Sequence, residues 1–264
     1  MIAWFHEASA ASREVSGGKG ACLSRMAACG FPIPRGFVVC DQASDESIAA
    51  AYEELGADVA VAVRSSAMCE DGETASFAGQ QETFLNVRGA VEVTRRVKEC
   101  RDSLFTPRAV FYREQKGDPA DTRMAVVVQE MVRADKSGVL FTADPVRKTP
   151  GHIVVEAVFG LGEGIVSGLI TPDQYVIDRS GGALVREFVA TQLTAIGCAD
   201  DGGTKEIDLP EEQGAARVLS ARELDCLVAL GVRAEQLFGA PQDIEWCIRG
   251  NEIFLLQSRP ITSL

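Results

Sequence analysis

The chain has 264 residues, with 26 Lys and Arg against 38 Asp and Glu and a net charge of −12. Apolar residues make up 46% and charged residues 24%, a globular composition that excludes wholesale disorder and a fibrous repeat. The negative charge argues against a non-specific nucleic-acid binder, which needs a positive field, but leaves room for a local basic pocket around a small polyphosphate.

Taken in chain order, Gly17-Gly18 opens a helix over Lys19–Cys29, with Leu23, Met26 and Ala27 on one face and Gly30 as its stop. The prolines of Phe31–Pro34 make an extended connector. Phe37–Cys40 reads as a short strand, Asp45–Leu55 as a helix and Val59–Val63 as a buried strand. Asp71–Gln81 is a loop rich in glycine and serine. Ala90–Glu114 is mostly helical, broken near Thr106-Pro107. Strands follow at Met124–Gln129, Gly138–Thr142, Ile153–Val158, Tyr175–Ile177 and Leu184–Val189, with a glycine-rich loop at Gly160–Gly168. The polar run Ala199–Asp208 is expected to be a mobile turn region. Pro210-Glu211-Glu212 opens a long helix to Phe238, with a break near Ser220. Asp243–Pro260 closes the sequence as a β-hairpin. The mixture points to an α+β fold rather than a doubly wound sheet.

The eight cysteines are scattered and form no CxxC, so reduced thiols are expected rather than a zinc site or a disulfide framework. Met1–Ala10 lacks the basic start and apolar run of a signal peptide, and no stretch of about 18 apolar residues occurs. A cytoplasmic protein without membrane contact is the expectation.

Gly160-Leu161-Gly162-Glu163-Gly164 is not GxGxxG, and Gly18-Lys19-Gly20 lacks the P-loop frame. Three basic residues stand out. Lys19 lies at a helix start, where a cation is unfavourable unless a phosphate shares the site; a solvated surface lysine is the alternative. Arg64 follows an apolar strand and needs an anion, either a carboxylate or a ligand phosphate. Arg259 lies in the last hairpin.

That hairpin supports a register argument. With a two-residue turn, cross-strand partners sum to 501 and both faces mix apolar with polar residues. With a three-residue turn they sum to 502. Ile244, Trp246, Ile248, Phe254 and Leu256 then share one face, Trp246 faces Leu256, and Glu245 lies opposite Gln257 beside Arg259. Burial selects the second register. A carboxylate and an amide oxygen side by side suit Mg²⁺ held together with substrate phosphates, although a solvated polar face has the same pattern. Asp144 reads as a turn acid, and Glu156 and Glu163 either line the same site or face solvent. Neither His6 nor His152 has a triad context. Gln129–Val132, after an apolar strand, offers backbone groups and Met131 to a flat base, or is plain strand-edge packing.

Several motifs occur together. They are Gly17–Ala21 (GGKGA), Phe31–Val38 (FPIPRGFV), Val63–Ser66 (VRSS), Ala75–Leu85 (ASFAGQQETFL), Val128–Val132 (VQEMV), Ser137–Thr142 (SGVLFT), Gly160–Glu163 (GLGE) and Gln257–Thr262 (QSRPIT). In this order they resemble the ATP-binding domain of the phosphoenolpyruvate synthase and pyruvate phosphate dikinase family. Phe141–Pro145 (FTADP) and Pro241–Trp246 (PQDIEW) are most similar to the rifampin phosphotransferase branch.

The resemblance implies an ATP-grasp-like fold, with ATP bound in a cleft between an N-terminal lobe, 1–128, and a C-terminal lobe, 129–264. It implies that Lys19, Arg64 and Arg259 hold phosphates and that the loop of Ser76, Phe77, Ala78 and Gly79 closes over them. Gln129, Glu130, Met131 and Val132 would contact adenine, mostly through backbone atoms. Glu245 and Gln257 would bind Mg²⁺, and Asp144 and Glu163 are weaker carry-overs. The implied reaction passes the β-phosphoryl of ATP to a histidine on a separate swivelling domain, leaving AMP and inorganic phosphate. This sequence contains no Thr-Ser-His segment of that domain and no acceptor-substrate domain. Those partners are expected in trans, or lost by truncation. The stretch Asp41–Asp58 is shorter than the resemblance leads one to expect. The competing readings are a non-catalytic ATP-binding regulatory module and a self-contained kinase with a small acceptor.

Overall fold

The computed structural model describes residues 1–67, 82–106, 123–262 and 264. They divide into two compact units, Met1–Met131 with Asp200–Gly203, and Val132–Ala199 with Thr204–Leu264. Helices and antiparallel sheets occur in both, so the fold is α+β.

Among the described residues of the first unit, five strands form an antiparallel sheet in the order β1-β2-β5-β3-β4. These are β1 (Ile2–Trp4), β2 (Gly36–Val39), β3 (Val61–Ala67), β4 (Thr83–Val87) and β5 (Met124–Glu130). Two helices, α2 (Asp45–Leu55) and α3 (Ala90–Asp102), cover one face. Ile48, Tyr52, Leu55, Val93, Val97 and Cys100 pack there against Phe37, Val39, Val61, Val63, Val126 and Val128. Burying each such valine or leucine contributes about 1.5–3 kcal/mol. Helix α1 (Arg13–Ala28) lies on the opposite face, where Gly20 abuts Val38. Strand alternation turns Val38 away from its neighbours Phe37 and Val39.

The α2 boundaries match the sequence pattern, because Ser44 Oγ accepts the Ser47 N–H and Asp45 and Glu46 fill the first turn. Three expectations are corrected. Helix α1 begins at Arg13 and crosses a non-helical Gly17. Strand β3 starts and ends later than Val59–Val63, because β5 continues the ladder past the valines as far as Ala67. Helix α3 stops at Asp102, followed by a 3₁₀ turn at Ser103–Phe105; residues 107–122 lie outside the described residues.

Among the described residues of the second unit, six strands form an antiparallel sheet in the order β13-β12-β6-β7-β8-β9. They are β6 (Lys136–Phe141), β7 (His152–Phe159), β8 (Asp173–Asp178), β9 (Leu184–Phe188), β12 (Gln242–Arg249) and β13 (Glu252–Pro260). Helix α4 (Ala221–Phe238) packs on β6 and β12, with Leu224, Leu227, Gly231 and Ala234 buried at helical spacing. Its start is fixed by a capping box in which Ser220 Oγ accepts the Glu223 N–H and Glu223 Oε2 accepts the Ser220 N–H. Burial alone would push Glu223 up, but Lys136 and Ser220 hold its carboxyl below the usual range. The expected break near Ser220 is therefore real: Glu211–Gly214 forms a separate one-turn helix.

The run Ala199–Asp208, expected as a turn region, is corrected. Thr204–Asp208 is a strand (β11) paired with Thr194–Cys198 (β10). Most of β11 is exposed, so no apolar alternation marked it. No described helix is long and apolar enough to cross a membrane.

Trp246 fills the space over Gly138, its partner residue on β6. A Cβ on Gly138 would stand 1.9 Å from the Glu156 carbonyl oxygen and 2.5 Å from the indole. Gly138→Ala should therefore lower stability by about 1–3 kcal/mol in urea denaturation. Glycine positions with open space, such as Gly182, serve as the comparison.

Candidate functional site

In the first unit, Arg64 lies in the middle of β3 rather than at its end, between buried Val63 and Ser65. Alternation places it with Ala62 and Ser66, away from the α2–α3 core. Gln129 is the β5 residue paired with Ala62 and shares that face, which α1 covers and from which Lys19 comes. Lys19 is only 7% exposed, so the surface-lysine reading fails. Gln129 is 2% exposed, and its amide Nε2 has no hydrogen-bond partner among the described residues. A buried amide N–H without an acceptor is costly. A buried cation and an orphaned donor near the same sheet face fit an anionic or acceptor-rich ligand.

Beyond Gln129, the backbone is partly committed. The Glu130 N–H donates to the Arg35 carbonyl and the Met131 N–H to the Ala60 carbonyl, each at 2.8 Å. The Glu130 carboxylate accepts from Arg35 Nε at 2.9 Å. The Val132 N–H has no acceptor among the described residues, which leaves it as the backbone donor of this segment. Ser76, Phe77, Ala78 and Gly79 lie outside the described residues.

In the second unit, the last hairpin departs from the expected register in an instructive way. Near its tip the pairs are Arg249 with Glu252, Ile248 with Ile253, Cys247 with Phe254 and Trp246 with Leu255. The turn is therefore the two-residue Gly250-Asn251, with Gly250 at φ +59°. A bulge then intervenes, leaving Leu256 as the extra residue. Beyond it Glu245 pairs with Gln257 and Asp243 with Arg259. The expected Glu245–Gln257 pairing stands, but the three-residue turn and the Trp246–Leu256 pair are corrected. Leu255, not Leu256, is the buried residue opposite Trp246.

The ladder continues this row across the sheet. Glu245 pairs with Val139, Val139 with Glu156, and Glu156 with Gln174. Gln257, Glu245, Glu156 and Gln174 therefore share one face, opposite the α4 side. Gln174 Nε2 donates to Glu156 at 3.2 Å, and Arg186 donates to the Gln174 oxygen at 2.8 Å. Gln257 is 6% exposed.

One strand step away, Arg259 Nε donates to Asp243 Oδ2 at 2.8 Å and the Nη2 of the same guanidinium lies 2.8 Å from that oxygen. Asp243 was not read as a site residue, although the 502 register alone sets it opposite Arg259. Burial pushes its carboxyl above the usual range, against the pull of Arg259, and Glu245 and Glu156 push it further up. Asp243, Glu245 and Glu156 thus crowd this face with acids, while Arg259 pairs with Asp243 and Arg186 bonds Gln174 at the far end of the row. Glu245 and the Gln257 amide offer hard oxygens of the kind Mg²⁺ takes. Among the described residues, no group of three or more His, Cys, Asp or Glu is arranged to hold a metal by itself, so a cation here would need oxygens from a ligand as well.

The remaining acids are settled locally. Asp144 is a turn acid: its Oδ1 accepts the Val146 and Arg147 N–H groups. Glu163 is exposed at the start of a one-turn helix, Glu163–Val166. Cys100 and Cys247 are thiols that burial pushes up to about 12, so neither is a ready nucleophile.

The Asp243 shift gives a signed expectation. A carboxyl raised in the folded state binds its proton more tightly there than in the unfolded chain. It therefore lowers stability as pH rises from the ordinary carboxylate range through its raised value. Asp243→Asn should remove that component, so the difference between variant and wild-type unfolding free energies should move in the variant's favour as pH rises. Urea denaturation at a series of pH values checks this.

A family model described as pyruvate phosphate dikinase, AMP/ATP-binding domain, matches residues 41–264. A probable phosphoenolpyruvate synthase of Archaeoglobus fulgidus is 52% identical over 213 residues, covering 80% of this chain and 28% of the relative. A rifampicin phosphotransferase of a Streptomyces species is 47% identical over 219 residues, covering 83% of this chain and 25% of the relative. The chain thus spans about a quarter of the length of these relatives. The solved D-alanine-D-alanine ligase from Coxiella burnetii matches at a TM-score of 0.40 and 10% identity, over 91% of this chain and 46% of that one.

Proposed function

The chain belongs to the pyruvate phosphate dikinase AMP/ATP-binding domain family, and from that premise we propose that it binds Mg-ATP as the nucleotide-splitting part of a phosphotransferase. Lys19, Arg64 and Arg259 hold phosphate oxygens, for which a buried lysine and strand-borne arginines are chemically suited. Gln129 gives its orphaned amide N–H to the nucleotide, and the Val132 N–H meets an acceptor on the base edge. Ser76, Phe77, Ala78 and Gly79, outside the described residues, are assigned to the same phosphates by the resemblance alone. Glu245 and Gln257 hold Mg²⁺, which supplies charge neutralisation on the transferred group.

The reaction class proposed is transfer of the β-phosphoryl to a histidine nitrogen on a separate domain. The histidine nitrogen bonds to the β-phosphorus as the bond to the AMP oxygen breaks and AMP leaves, and water attacks the γ-phosphorus, breaking the β,γ-bridge and releasing inorganic phosphate while the β-phosphoryl stays on the histidine. The longer relatives support partner domains of this kind. The observation that supports the reading is the burial of Lys19 and Gln129 near one sheet face, with the Gln129 amide donor left without an acceptor among the described residues.

Calorimetric titration tests it. Wild type should bind Mg-ATP saturably. Arg64→Ala and Glu245→Ala should each weaken binding by about ten- to a hundredfold, the scale of one charge-assisted contact, while circular dichroism stays unchanged. No binding by folded wild type would reject the reading. ADP rather than AMP as product in the presence of a histidine-bearing domain would reject the reaction class.

A further inference from the structure

Ser66 is fully buried, and its hydroxyl is used twice. It donates to the Ser16 carbonyl at 2.8 Å and accepts the Gly20 N–H at 3.2 Å. Those two partners bracket Gly17, Gly18 and Lys19. At Gly17 the helix path breaks, with φ +67° and ψ −177°. A Cβ there would meet the Ser66 carbonyl oxygen at 2.2 Å and its hydroxyl at 2.4 Å, so only glycine admits the approach. A helical segment that starts after such a break leaves its first N–H groups without carbonyl partners, and a side-chain oxygen from the preceding residue ordinarily accepts one. Gly17 has no side chain. Ser66 supplies the oxygen from a different strand, 46 residues away from Gly20.

Arg64 stands two residues before Ser66 on the same face of β3. One hydroxyl therefore ties the strand bearing Arg64 to the backbone immediately around Lys19. We propose that Ser66 is a positioning residue that fixes Lys19 relative to Arg64, so that both cations meet one polyphosphate. This rests on the proposed function. Ser66 touches no substrate in this account; it acts through the α1 backbone. Ser65 next to it is equally buried, but its hydroxyl bonds the Glu82 carbonyl at 3.3 Å, on the other face of β3, and has no such role.

The test is a double-mutant cycle read with two ligands. Mg-ATP and adenosine are titrated into wild type, Ser66→Ala, Lys19→Ala, the double variant and Ser65→Ala, all at a temperature where each is folded. Ser66→Ala should weaken Mg-ATP by about tenfold or more and adenosine by less than about twofold. In the Lys19→Ala background it should add almost nothing, because the two residues act as one unit. Ser65→Ala should keep the ATP-to-adenosine ratio of wild type. Should Ser66→Ala not fold, Ser66→Cys, with a similar size and a weak hydrogen-bonding group, makes the same comparison. Equal weakening of both ligands, or an undiminished Ser66→Ala effect in the Lys19→Ala background, would overturn the inference while leaving the function intact. Wild type that binds no Mg-ATP would overturn the function and this inference with it.

Discussion

Between Trp246 and Glu245 the last hairpin changes register by one residue, and the polar face of the second unit's sheet follows from that step. The two-residue turn at Gly250-Asn251 suits the twist of the flanking strands. Left alone, its register would carry Gln257 and Arg259 to the side of Trp246. The extra residue Leu256 turns the rest of β13 over. The tip thus keeps Trp246 and Leu255 buried together, and the far end sets Glu245 against Gln257 and Asp243 against Arg259. Burial and chemistry are both satisfied because the bulge separates them along the strand.

The first unit answers a different problem with similar means. A lysine and an amide are buried beside a sheet whose other face is a continuous valine, leucine and aromatic core. Such groups are tolerated where a partner compensates their desolvation. Among the described residues the Gln129 amide has none, and an uncompensated buried donor costs stability. In the second unit, the raised Asp243 carboxyl expresses the same tension: burial and the neighbouring Glu245 and Glu156 push it up against the pull of Arg259, and a divalent cation with its phosphates would relieve that repulsion while competing for Arg259.

Much of this was legible in the sequence where burial writes a period. The α2 boundaries, the strand cores and the Glu245–Gln257 pairing follow from alternation and caps. The bulge is not legible, because a single uniform register fits the polar pairs and one extra residue leaves the same composition on both arms. Asp243 is legible only through its partner: the 502 register sets it opposite Arg259, and a carboxylate that bonds a neighbouring arginine carries no ligand signal of its own. Strand β11 escaped because its exposed residues, such as Lys205, Glu206 and Asp208, give no apolar signal. The α1 segment before Gly17 escaped because a glycine pair reads as a start, whereas Ser66 lets the chain continue through it.

We propose that Glu245 and Gln257 together seat the metal of the nucleotide site. Crystals grown with Mn²⁺ and a non-hydrolysable ATP analogue test it most directly, through the anomalous signal of the metal. The account predicts a strong peak coordinated by the Glu245 carboxylate and the Gln257 amide oxygen, with phosphate oxygens completing the shell. A metal held by phosphates and water alone, or by other side chains, would contradict it.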